Sequence, residues 1–433
     1  MEEANNDNWY RRLGSPRYVL APMVDQSEHA FRVLCRRHGT HLAYTPMISS
    51  RQFISSAPFR EGIFGELEGK AECEDRPLVV QFAGNDPQVL LAAAKHVEMR
   101  CDAVDINLGC PQKIAKRGRY GAWLLDEPAL LQQLVGTLHC HLACPVTVKI
   151  RLLQGADGAA ATPASISQTV DLARMLQGAG ASVVAVHGRT REQKGHAQGS
   201  ADWDGIAAVK AALSVPVLAN GGVYTAADAE ACLKATGADG VLSGEGLLEN
   251  PALFEGRKAG DRPEALALEY LELQRLYPAD LRSVKQHLFS MCYAGLQVYT
   301  ELRQAMHRAR TLEQMHEIVC ELARRPREAR APFNNAPGDA YTSWYRRHTW
   351  EEERTAQRLA ANAAAASAAE EATEEAIDDA TGDGHVADGE VGVGGAGAEA
   401  EPWSRNESGE GVPCGVGELE ARWARWVALR DGS

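Results

Sequence analysis

Short runs of apolar and β-branched residues alternate with longer amphipathic stretches rich in alanine and leucine from residue 18 to residue 254. Nearly continuous apolar strands that alternate with helices indicate a parallel sheet buried on both faces. Eight such units predict an α/β fold that closes into a (β/α)8 TIM barrel, and an open doubly wound sheet is the alternative. The predicted strands are Tyr18–Ala21, Leu42–Tyr44, Leu78–Gln81, Ala103–Ile106, Val146–Lys149, Val183–Val186, Val217–Ala219 and Gly240–Leu242.

The strand pattern stops near Pro263, and apolar residues at helical spacing continue to about Arg330. We expect three or four amphipathic helices, which form a small all-helical domain at residues 259–350 after a barrel at residues 14–258. The basic side chains of these helices either form a solvated face or contact phosphate groups. They are Arg303, Arg308, Arg310, Arg324, Arg325, Arg327 and Arg330, together with His287, His307 and His316.

Residues 351–433 are rich in Ala, Glu, Asp and Gly and contain few large apolar residues. Such a segment cannot bury enough surface to offset the loss of chain entropy, so we expect a disordered acidic tail. It holds 19 acidic and 6 basic residues, which equals the whole net charge of −13, and the first 350 residues hold 39 of each. This tail argues against nonspecific coating of nucleic acid. The stretch from Leu419 to Leu429 has helical spacing and could dock on the protein itself or on a partner.

The overall composition bounds the class of protein. The chain has 433 residues, of which 45% are hydrophobic and 24% are charged, and this excludes a chain that is disordered throughout. No apolar run approaches the roughly 18 residues that a membrane span needs, and the polar start does not resemble a signal or transit peptide. We expect a monomer of the cytoplasm, the nucleus or both, without membrane contact. The ten cysteines are widely spaced, which indicates reduced thiols.

Polar residues follow the predicted strands at the point where each strand ends. In an α/β barrel the reactive groups lie at these carboxyl ends. A single Lys or His there is most often structural, but the joint pattern predicts a ligand site at the rim. The residues are Pro22 and Met23, Gln81, Asn107 and Cys110, Lys149, His187 and Arg189, Asn220–Gly222, and Gly244–Gly246.

Glycines follow the last two strands, in Asn220-Gly221-Gly222 and in Gly244-Glu245-Gly246. They would let backbone N–H groups approach an anion, and barrels often bind phosphate beside the seventh and eighth strands. The alternative is that the glycines only permit tight turns.

A phosphate at that position would leave the remainder of the ligand above Lys149 and His187. Gln81 and Met23 would face it from across the barrel. A cation and amide donors around a flat ring suit flavin mononucleotide (FMN), because a positive charge near N1 stabilises the anionic reduced ring.

Cys110 lies in a loop that continues into a basic stretch with Lys113, Lys116 and Arg117. An ordinary thiol is mostly protonated at neutral pH, so Cys110 can donate a proton. A buried, inert cysteine is the alternative, and it fits poorly beside so many charges. We expect the basic residues to contact a phosphate backbone next to the thiol.

Two further patterns in the sequence resemble binding motifs but do not indicate a site. The glycines at Gly392–Gly397 match a dinucleotide-binding pattern, but they follow an acidic stretch instead of a strand and open no helix. His139, Cys140, His141 and Cys144 have spacing compatible with a metal site, but they precede the fifth strand and lack a second ligand pair. We expect no bound metal.

These motifs in this order resemble the tRNA-dihydrouridine synthases, flavin enzymes that reduce uridine in tRNA. The resemblance spans about residues 17–255, and within the family it is greatest to the eukaryotic branch that acts on uridines 16 and 17 of the D-loop. The motifs that carry it are YVLAPMVDQSEHAFRVLCRRHG, DINLGCPQ, VKIR, VHGRTREQ, LANGGV and LSGEGLLENPALF.

The resemblance implies roles for individual residues. Cys110 would be the proton donor, and Asn107 and Arg189 would face the uridine. Glu245 departs from the family pattern, because many members have arginine there and a carboxylate cannot pair with phosphate, so its contact would be a backbone N–H. The implied FMN contacts are Pro22, Met23, Val24, Gln81, Lys149, His187, Asn220, Gly221, Gly222, Gly244 and Glu245.

The chemistry implied by this resemblance transfers a hydride from reduced FMN to C6 of uracil and a proton from Cys110 to C5. NADPH or NADH would supply the electrons, and tRNA would be the partner. Two rivals stay open at this point: an FMN barrel that acts on a small molecule, similar to a dihydroorotate dehydrogenase, and a tRNA-binding protein without catalysis.

Overall fold

Nine parallel strands form one sheet in the part of the chain that the structure describes. The computed structural model describes residues 9–64, 75–155, 160–194, 198–256 and 263–326. The strands are β1 (Tyr18–Leu20), β2 (Leu42–Tyr44), β3 (Ile48–Ser49), β4 (Leu78–Ala83), β5 (Ala103–Leu108), β6 (Val146–Arg151), β7 (Ala181–His187), β8 (Val217–Asn220) and β9 (Gly240–Ser243).

Eight of these strands close into a barrel. β1 pairs with both β2 and β9, β2 pairs with β4, and the remaining strands pair in chain order. The predicted TIM barrel is therefore confirmed, and the open sheet is excluded. β3 adds to β4 through Ile48 and Phe82 and lies outside the ring. Its two residues are too short a run for the hydrophobic pattern to reveal.

Several strands extend further than the apolar runs predict. Polar side chains interrupt the apolar run, yet β5 continues through Asn107, β6 through Arg151 and β7 through His187. A barrel strand tolerates such residues at its carboxyl end, because the interior there opens towards a ligand site.

Alternate residues of each strand face the barrel interior. Val19, Leu42, Val79 and Leu218 are fully or almost fully buried in one interior cluster, which Trp9 also joins. Because side chains alternate between the two faces of a strand, the residues two and four positions further along share this interior. The interior is thus apolar in its lower part and polar towards the carboxyl ends.

Helices with defined starts surround the barrel. Thr162 and Thr225 form capping boxes, and Asp86 accepts from two backbone N–H groups. The helices are α1 (His29–Arg37), α2 (Ser50–Ser55), α3 (Ala57–Phe64), α4 (Pro87–Lys95), α5 (Lys113–Gly118), α6 (Pro128–His141), α7 (Pro163–Gly178), α8 (Trp203–Ala212), α9 (Ala226–Thr236) and α10 (Glu245–Glu249).

Five helices follow the barrel within the described residues, where the sequence predicts three or four. The difference arises at Cys292 and Tyr299, where the backbone leaves the helical conformation without interrupting the helical spacing of apolar residues. The division of the chain at residue 258 stays a prediction. The helices are α11 (Pro263–Leu276), α12 (Leu281–Met291), α13 (Tyr293–Val298), α14 (Thr300–Arg308) and α15 (Leu312–Arg324).

The first of these helices pack against the barrel around Glu28. His287 is fully buried, and its Nε2 lies 3.0 Å from a Glu28 carboxylate oxygen, while the Tyr270 hydroxyl donates to the other oxygen. Burial alone would raise the pKa of Glu28, but these two partners hold it below its usual range. The helical segment and the barrel therefore share a buried polar junction.

Replacing Glu28 with alanine is expected to lower the free energy of unfolding by about 3 kcal/mol, because two buried polar groups lose their acceptor. Chemical denaturation measures the change. Glu272→Ala is the matched control: its pair with Arg275 is exposed on α11, and its loss should cost less than about 0.5 kcal/mol. Equal losses of unfolding free energy in the two variants would contradict the conclusion that the buried contacts of Glu28 stabilise the protein.

Some predicted features lie outside the described residues. They are the acidic tail at residues 351–433 with its terminal helix, the glycines at Gly392–Gly397, and Arg327 and Arg330. Among the described residues, no helix has the length and apolar character needed to cross a membrane.

Candidate active site

The candidate residues on the strands meet inside the carboxyl end of the barrel. Strand pairing places Asn107 opposite Lys149 and His187 opposite Asn220. Gln81 lies opposite Asp105, two residues before Asn107 on the same face of β5. The five predicted strand residues Gln81, Asn107, Lys149, His187 and Asn220 therefore surround one interior space.

A chain of hydrogen bonds links three of the strands. The Gln81 amide is completely buried and donates through Nε2 to Asp105 at 2.8 Å. Asn107 donates through Nδ2 to Gln81 Oε1, also at 2.8 Å. Thr147 donates to the second carboxylate oxygen of Asp105 at 2.7 Å. Two of the three amides of the predicted site are therefore held by a buried carboxylate, Gln81 directly and Asn107 through Gln81.

Asn107 also holds the loop that carries the thiol. Its Oδ1 accepts from the backbone N–H groups of Gly109 at 3.2 Å and Cys110 at 3.0 Å. Gly121 lies behind the loop with a φ of +67°, and a Cβ there would approach the Cys110 carbonyl oxygen to 2.7 Å. Only glycine permits this approach, so the loop is fixed on both sides.

The Cys110 thiol is protonated at neutral pH. Burial raises the pKa of Cys110 above its usual value, although a backbone hydrogen bond and the nearby charges of Arg151, Lys149 and Lys194 oppose that rise. A protonated thiol beside cations can donate a proton, because those cations stabilise the thiolate that forms.

Lys149 brings a buried positive charge to the site. Burial and the neighbouring Arg151 lower the pKa of Lys149 to about 8, while Asp105 and Cys110 oppose the decrease. Burial raises the pKa of Asp105 to about 6. At neutral pH both groups are therefore mostly charged, and a ligand that places negative charge near the ammonium would be stabilised.

His187 is neutral in this environment. Burial and the charges of Arg151, Lys149 and Arg189 hold the pKa of His187 well below its usual range. Arg189 Nη1 lies 3.2 Å from His187 Nε2, and because a guanidinium can only donate, Nε2 must accept. The proton therefore resides on Nδ1, which makes His187 a hydrogen-bond donor and not an acid.

Glycine turns follow β8 and β9. Gly221 and Gly222 have φ values of +106° and +77°, so the turn itself requires glycine. A Cβ at Gly221 would also lie 3.0 Å from the His187 ring, and one at Gly244 would lie 3.2 Å from Met23 Sδ. The turns are thus tight and closely approached by other site residues, as the tight-turn explanation requires, and phosphate binding by their N–H groups stays a prediction.

The remaining candidates differ in how they are placed. Val24 is 38% exposed on the loop after β1, where Pro22 is half-buried. Asn220 donates one amide hydrogen to the Leu242 carbonyl at 3.0 Å. Glu245 begins α10. Burial and the charge of Arg189 lower the pKa of Arg151 to about 10, and the negative charge of Glu245 is one of the groups that oppose this decrease.

The predicted basic residues Lys113, Lys116 and Arg117 are exposed on α5, directly after the thiol loop. The Lys116 ammonium lies 4.8 Å from the centre of the Trp123 ring. Of the basic residues predicted on the later helices, Arg308, Arg310 and Arg324 are exposed, whereas His287 is buried and pairs with Glu28. No group of three or more His, Cys, Asp or Glu side chains that could hold a metal ion occurs among the described residues, which include His139, Cys140, His141 and Cys144.

Arg151 is a site residue that the strand-end pattern misses. Its Nε donates to the Gly109 carbonyl at 2.9 Å, and Nη1 donates to the Thr190 carbonyl at 2.7 Å. It therefore ties the thiol loop to the loop after β7. Its position two residues beyond Lys149 is the signal that could have identified it, because the two share one face of β6.

The loop after β7 makes further contacts with the thiol loop. Lys194 donates to the Pro111 carbonyl at 2.9 Å, and the Arg191 guanidinium lies 4.4 Å from the centre of the Trp123 ring. Trp123 donates to the Gln112 carbonyl at 3.3 Å. No local sequence signal reports these contacts, because they join segments that are distant in the chain.

A closed parallel barrel whose carboxyl-terminal rim gathers a buried ammonium, two anchored amides and a protonated thiol defines a barrel enzyme with its active site at the rim. The model of the family described as dihydrouridine synthase (Dus) matches residues 19–331. The chain belongs to the dihydrouridine synthase family.

Individual relatives agree with this assignment. The chain is 45% identical over 338 residues to a rat "tRNA-dihydrouridine(16/17) synthase [NAD(P)(+)]-like" protein, covering 76% of this chain and 73% of the relative. It is 40% identical over 333 residues to the tRNA-dihydrouridine(16/17) synthase of Schizosaccharomyces pombe, covering 73% of this chain and 80% of the relative. A human protein named "tRNA-dihydrouridine(20a/20b) synthase [NAD(P)+]-like" is 38% identical over 241 residues, covering 55% and 70%. The predicted family and branch are confirmed over both rivals.

Proposed function

We propose that this protein reduces uridine to 5,6-dihydrouridine in tRNA, at positions 16 and 17 of the D-loop, with FMN as its bound cofactor and NADPH or NADH as reductant. The observation that carries the proposal is the protonated Cys110 thiol, held by Asn107 at the same rim as the buried Lys149 ammonium. The names of the 16/17 relatives support the choice of substrate and position.

The residues present fit FMN. Gly221, Gly222 and Gly244 leave space that a Cβ would fill, and their backbone N–H groups would hold the phosphate. Lys149 would lie near N1 of the ring, and Gln81 would offer it an amide hydrogen. Pro22, Met23, Val24 and His187 would line the ring, and Asn220 and Glu245 would flank the phosphate.

The protein's own residues carry the proton. Bound FMN supplies the hydride that C6 of uracil receives. Cys110 gives its thiol proton to C5, so the C5=C6 double bond becomes a single bond. The thiolate that remains is stabilised by Arg151, Lys149 and Lys194, and it regains a proton from water.

The tRNA must present its uridine at the barrel mouth. A stacked base would keep C5 and C6 out of reach, so the uridine is turned out of the loop. Asn107 and Arg189 would contact the uracil. Lys113, Lys116 and Arg117 are exposed next to the thiol loop and would hold the phosphate backbone, which makes the affinity depend on salt.

The direct test incubates the purified protein with NADPH and an unmodified tRNA transcript, followed by mass spectrometry of the nucleosides. Dihydrouridine should form, and replacement of uridines 16 and 17 by cytidine in the transcript should abolish it. Faster oxidation of NADPH with orotate or a small enone than with tRNA would instead support the small-molecule rival. A colourless protein that binds tRNA would support the non-catalytic one.

Replacing Gly221 with alanine is expected to raise the dissociation constant of FMN by about tenfold, because the new methyl group displaces the His187 ring or the turn. Fluorescence of FMN during titration of the cofactor-free protein measures the change. Gly237→Ala is the matched control, since Gly237 also has a positive φ but has nothing within 4 Å of its Cβ position. Equal weakening in both variants would show that backbone strain alone, and not contact at the site, is responsible.

A further inference from the structure

Asp105 is completely buried inside the barrel, directly below the candidate site. Both of its carboxylate oxygens are occupied, one by the Thr147 hydroxyl at 2.7 Å and the other by Gln81 Nε2 at 2.8 Å. A buried carboxylate is costly unless it is hydrogen-bonded, so a residue of this type at this position requires an explanation. Nothing in the proposed proton or hydride transfer uses it.

The hydrogen bonds that begin at Asp105 have only one consistent direction. A carboxylate can only accept, and a backbone N–H can only donate. Gln81 must therefore turn Nε2 towards Asp105 and Oε1 towards Asn107. Asn107 must then turn Nδ2 towards Gln81 and Oδ1 towards the N–H of Cys110. Reversing either amide would place two donors or two acceptors against each other.

We propose that Asp105 is a positioning residue, which fixes the amide orientations of Gln81 and Asn107 and, through them, the loop that carries the Cys110 thiol. This inference rests on the proposed function, because Gln81 would contact the flavin and Asn107 the uridine. Asp105 itself touches neither.

The fixed orientation determines what the two amides offer to a ligand. Each amide nitrogen carries two hydrogens, and the chain from Asp105 uses one of them. Among the described residues, no acceptor takes the second hydrogen of either amide, so each has one hydrogen for an acceptor on a ligand. The flavin ring and uracil both carry carbonyl oxygens, so both match a site that presents donors from Gln81 and Asn107.

The effect of replacing Asp105 should depend on which residue occupies position 147, and this dependence tests the proposed role of Asp105. Asparagine at position 105 preserves the chain only if it turns its oxygen to Gln81 and its nitrogen to Thr147. The Thr147 hydroxyl also shares a hydrogen bond with Tyr44. Its hydrogen can therefore turn to Tyr44, and its oxygen can accept from the asparagine nitrogen. Valine at position 147 cannot accept, so the asparagine would turn its nitrogen to Gln81 and reverse the Gln81 amide. Gln81 would then present its nitrogen to the Asn107 nitrogen, because the N–H groups of Gly109 and Cys110 still hold Asn107 Oδ1.

The effects should therefore be strongly non-additive. We expect Asp105→Asn and Thr147→Val each to weaken FMN binding and dihydrouridine formation by about threefold or less. The double variant should weaken both by about fiftyfold, well beyond the product of the single effects. Asp105→Asn with Thr147→Ser keeps a hydroxyl and should behave like Asp105→Asn alone.

The measurements are the dissociation constant of FMN for the cofactor-free protein, the yield of dihydrouridine in tRNA, and the melting temperature. Asp239→Asn serves as a control, because that carboxylate accepts from the Val217 N–H at the start of β8, at the other end of the barrel. It should change neither FMN binding nor yield.

Each outcome decides the proposal. A double variant that binds FMN like the wild type, or that shows only the product of the single effects, would overturn it, as would failure of either single variant to fold. If only the double variant fails to fold, the two substitutions are non-additive in their effect on stability, and this result would support the proposal. A wild-type protein that binds FMN but forms no dihydrouridine would refute the proposed function, while the FMN measurements would still test Asp105.

Discussion

Cys110→Ala should reduce dihydrouridine formation by about 10²–10⁴-fold, the usual contribution of a general acid, while FMN binding and reduction by NADPH stay intact. The physical reason is that C5 of uracil gains carbanion character when C6 receives hydride, and Cys110 is the protonated group held at that rim. The two half-reactions are measured separately: reduction of the flavin by NADPH in the absence of tRNA, and dihydrouridine yield in its presence.

Another cysteine supplies the control for this substitution. Cys140 is exposed near the end of α6, and Cys140→Ala should retain wild-type yield. Full dihydrouridine formation by Cys110→Ala would remove the thiol from the mechanism. Loss of NADPH oxidation without tRNA would instead indicate that the thiol loop supports the cofactor.

Lys149→Met is expected to lower the rate of hydride transfer by about 10²–10³-fold, the cost of removing one preorganised group that stabilises developing negative charge. The same substitution should weaken FMN binding, because the buried ammonium would no longer face the ring. Stopped-flow absorbance of the flavin reports the rate, and titration of the cofactor-free protein reports the affinity.

The pH dependence of FMN binding gives a second signature of Lys149. The pKa of Lys149 is lowered to about 8, so the ammonium is present below that pH and is lost as the pH rises through it. FMN should therefore bind more weakly to the wild-type protein above about pH 8, and Lys149→Met should lose this dependence. Lys210→Met, at an ion pair with Asp239 at the amino-terminal end of the barrel, should retain it. An unchanged profile in Lys149→Met would assign the pH dependence to another group.

The sequence predicts the barrel and most of its rim for one physical reason. Parallel strands buried on both faces must be apolar, so a polar residue near a strand end marks the place where the interior opens to a ligand. Gln81, Lys149 and His187 are visible in this way, and each faces the interior. The glycines after β8 are visible too, because their positive φ values restrict the residue type.

The parts that could not be predicted depend on contacts between distant segments. Asp105 lies within an apolar run. From the sequence, a charged residue there could be a buried carboxylate that holds other side chains, or it could mean that the strand is wrongly assigned. Lys194 and Trp123 meet the thiol loop only after the loops of β5 and β7 have folded against each other. The breaks at Cys292 and Tyr299 leave the apolar spacing intact, so the periodicity counts too few helices.

In the proposed mechanism, one rim of the barrel holds a flavin and the Cys110 thiol on the two sides of a uridine. The most direct test of this mechanism is a single turnover without oxygen, in which the protein is reduced by NADPH and then mixed with excess unmodified tRNA. We expect one dihydrouridine for each FMN reoxidised, and slow reoxidation in Cys110→Ala. Reoxidation by tRNA without dihydrouridine, or a protein that holds no flavin, would contradict the proposed mechanism.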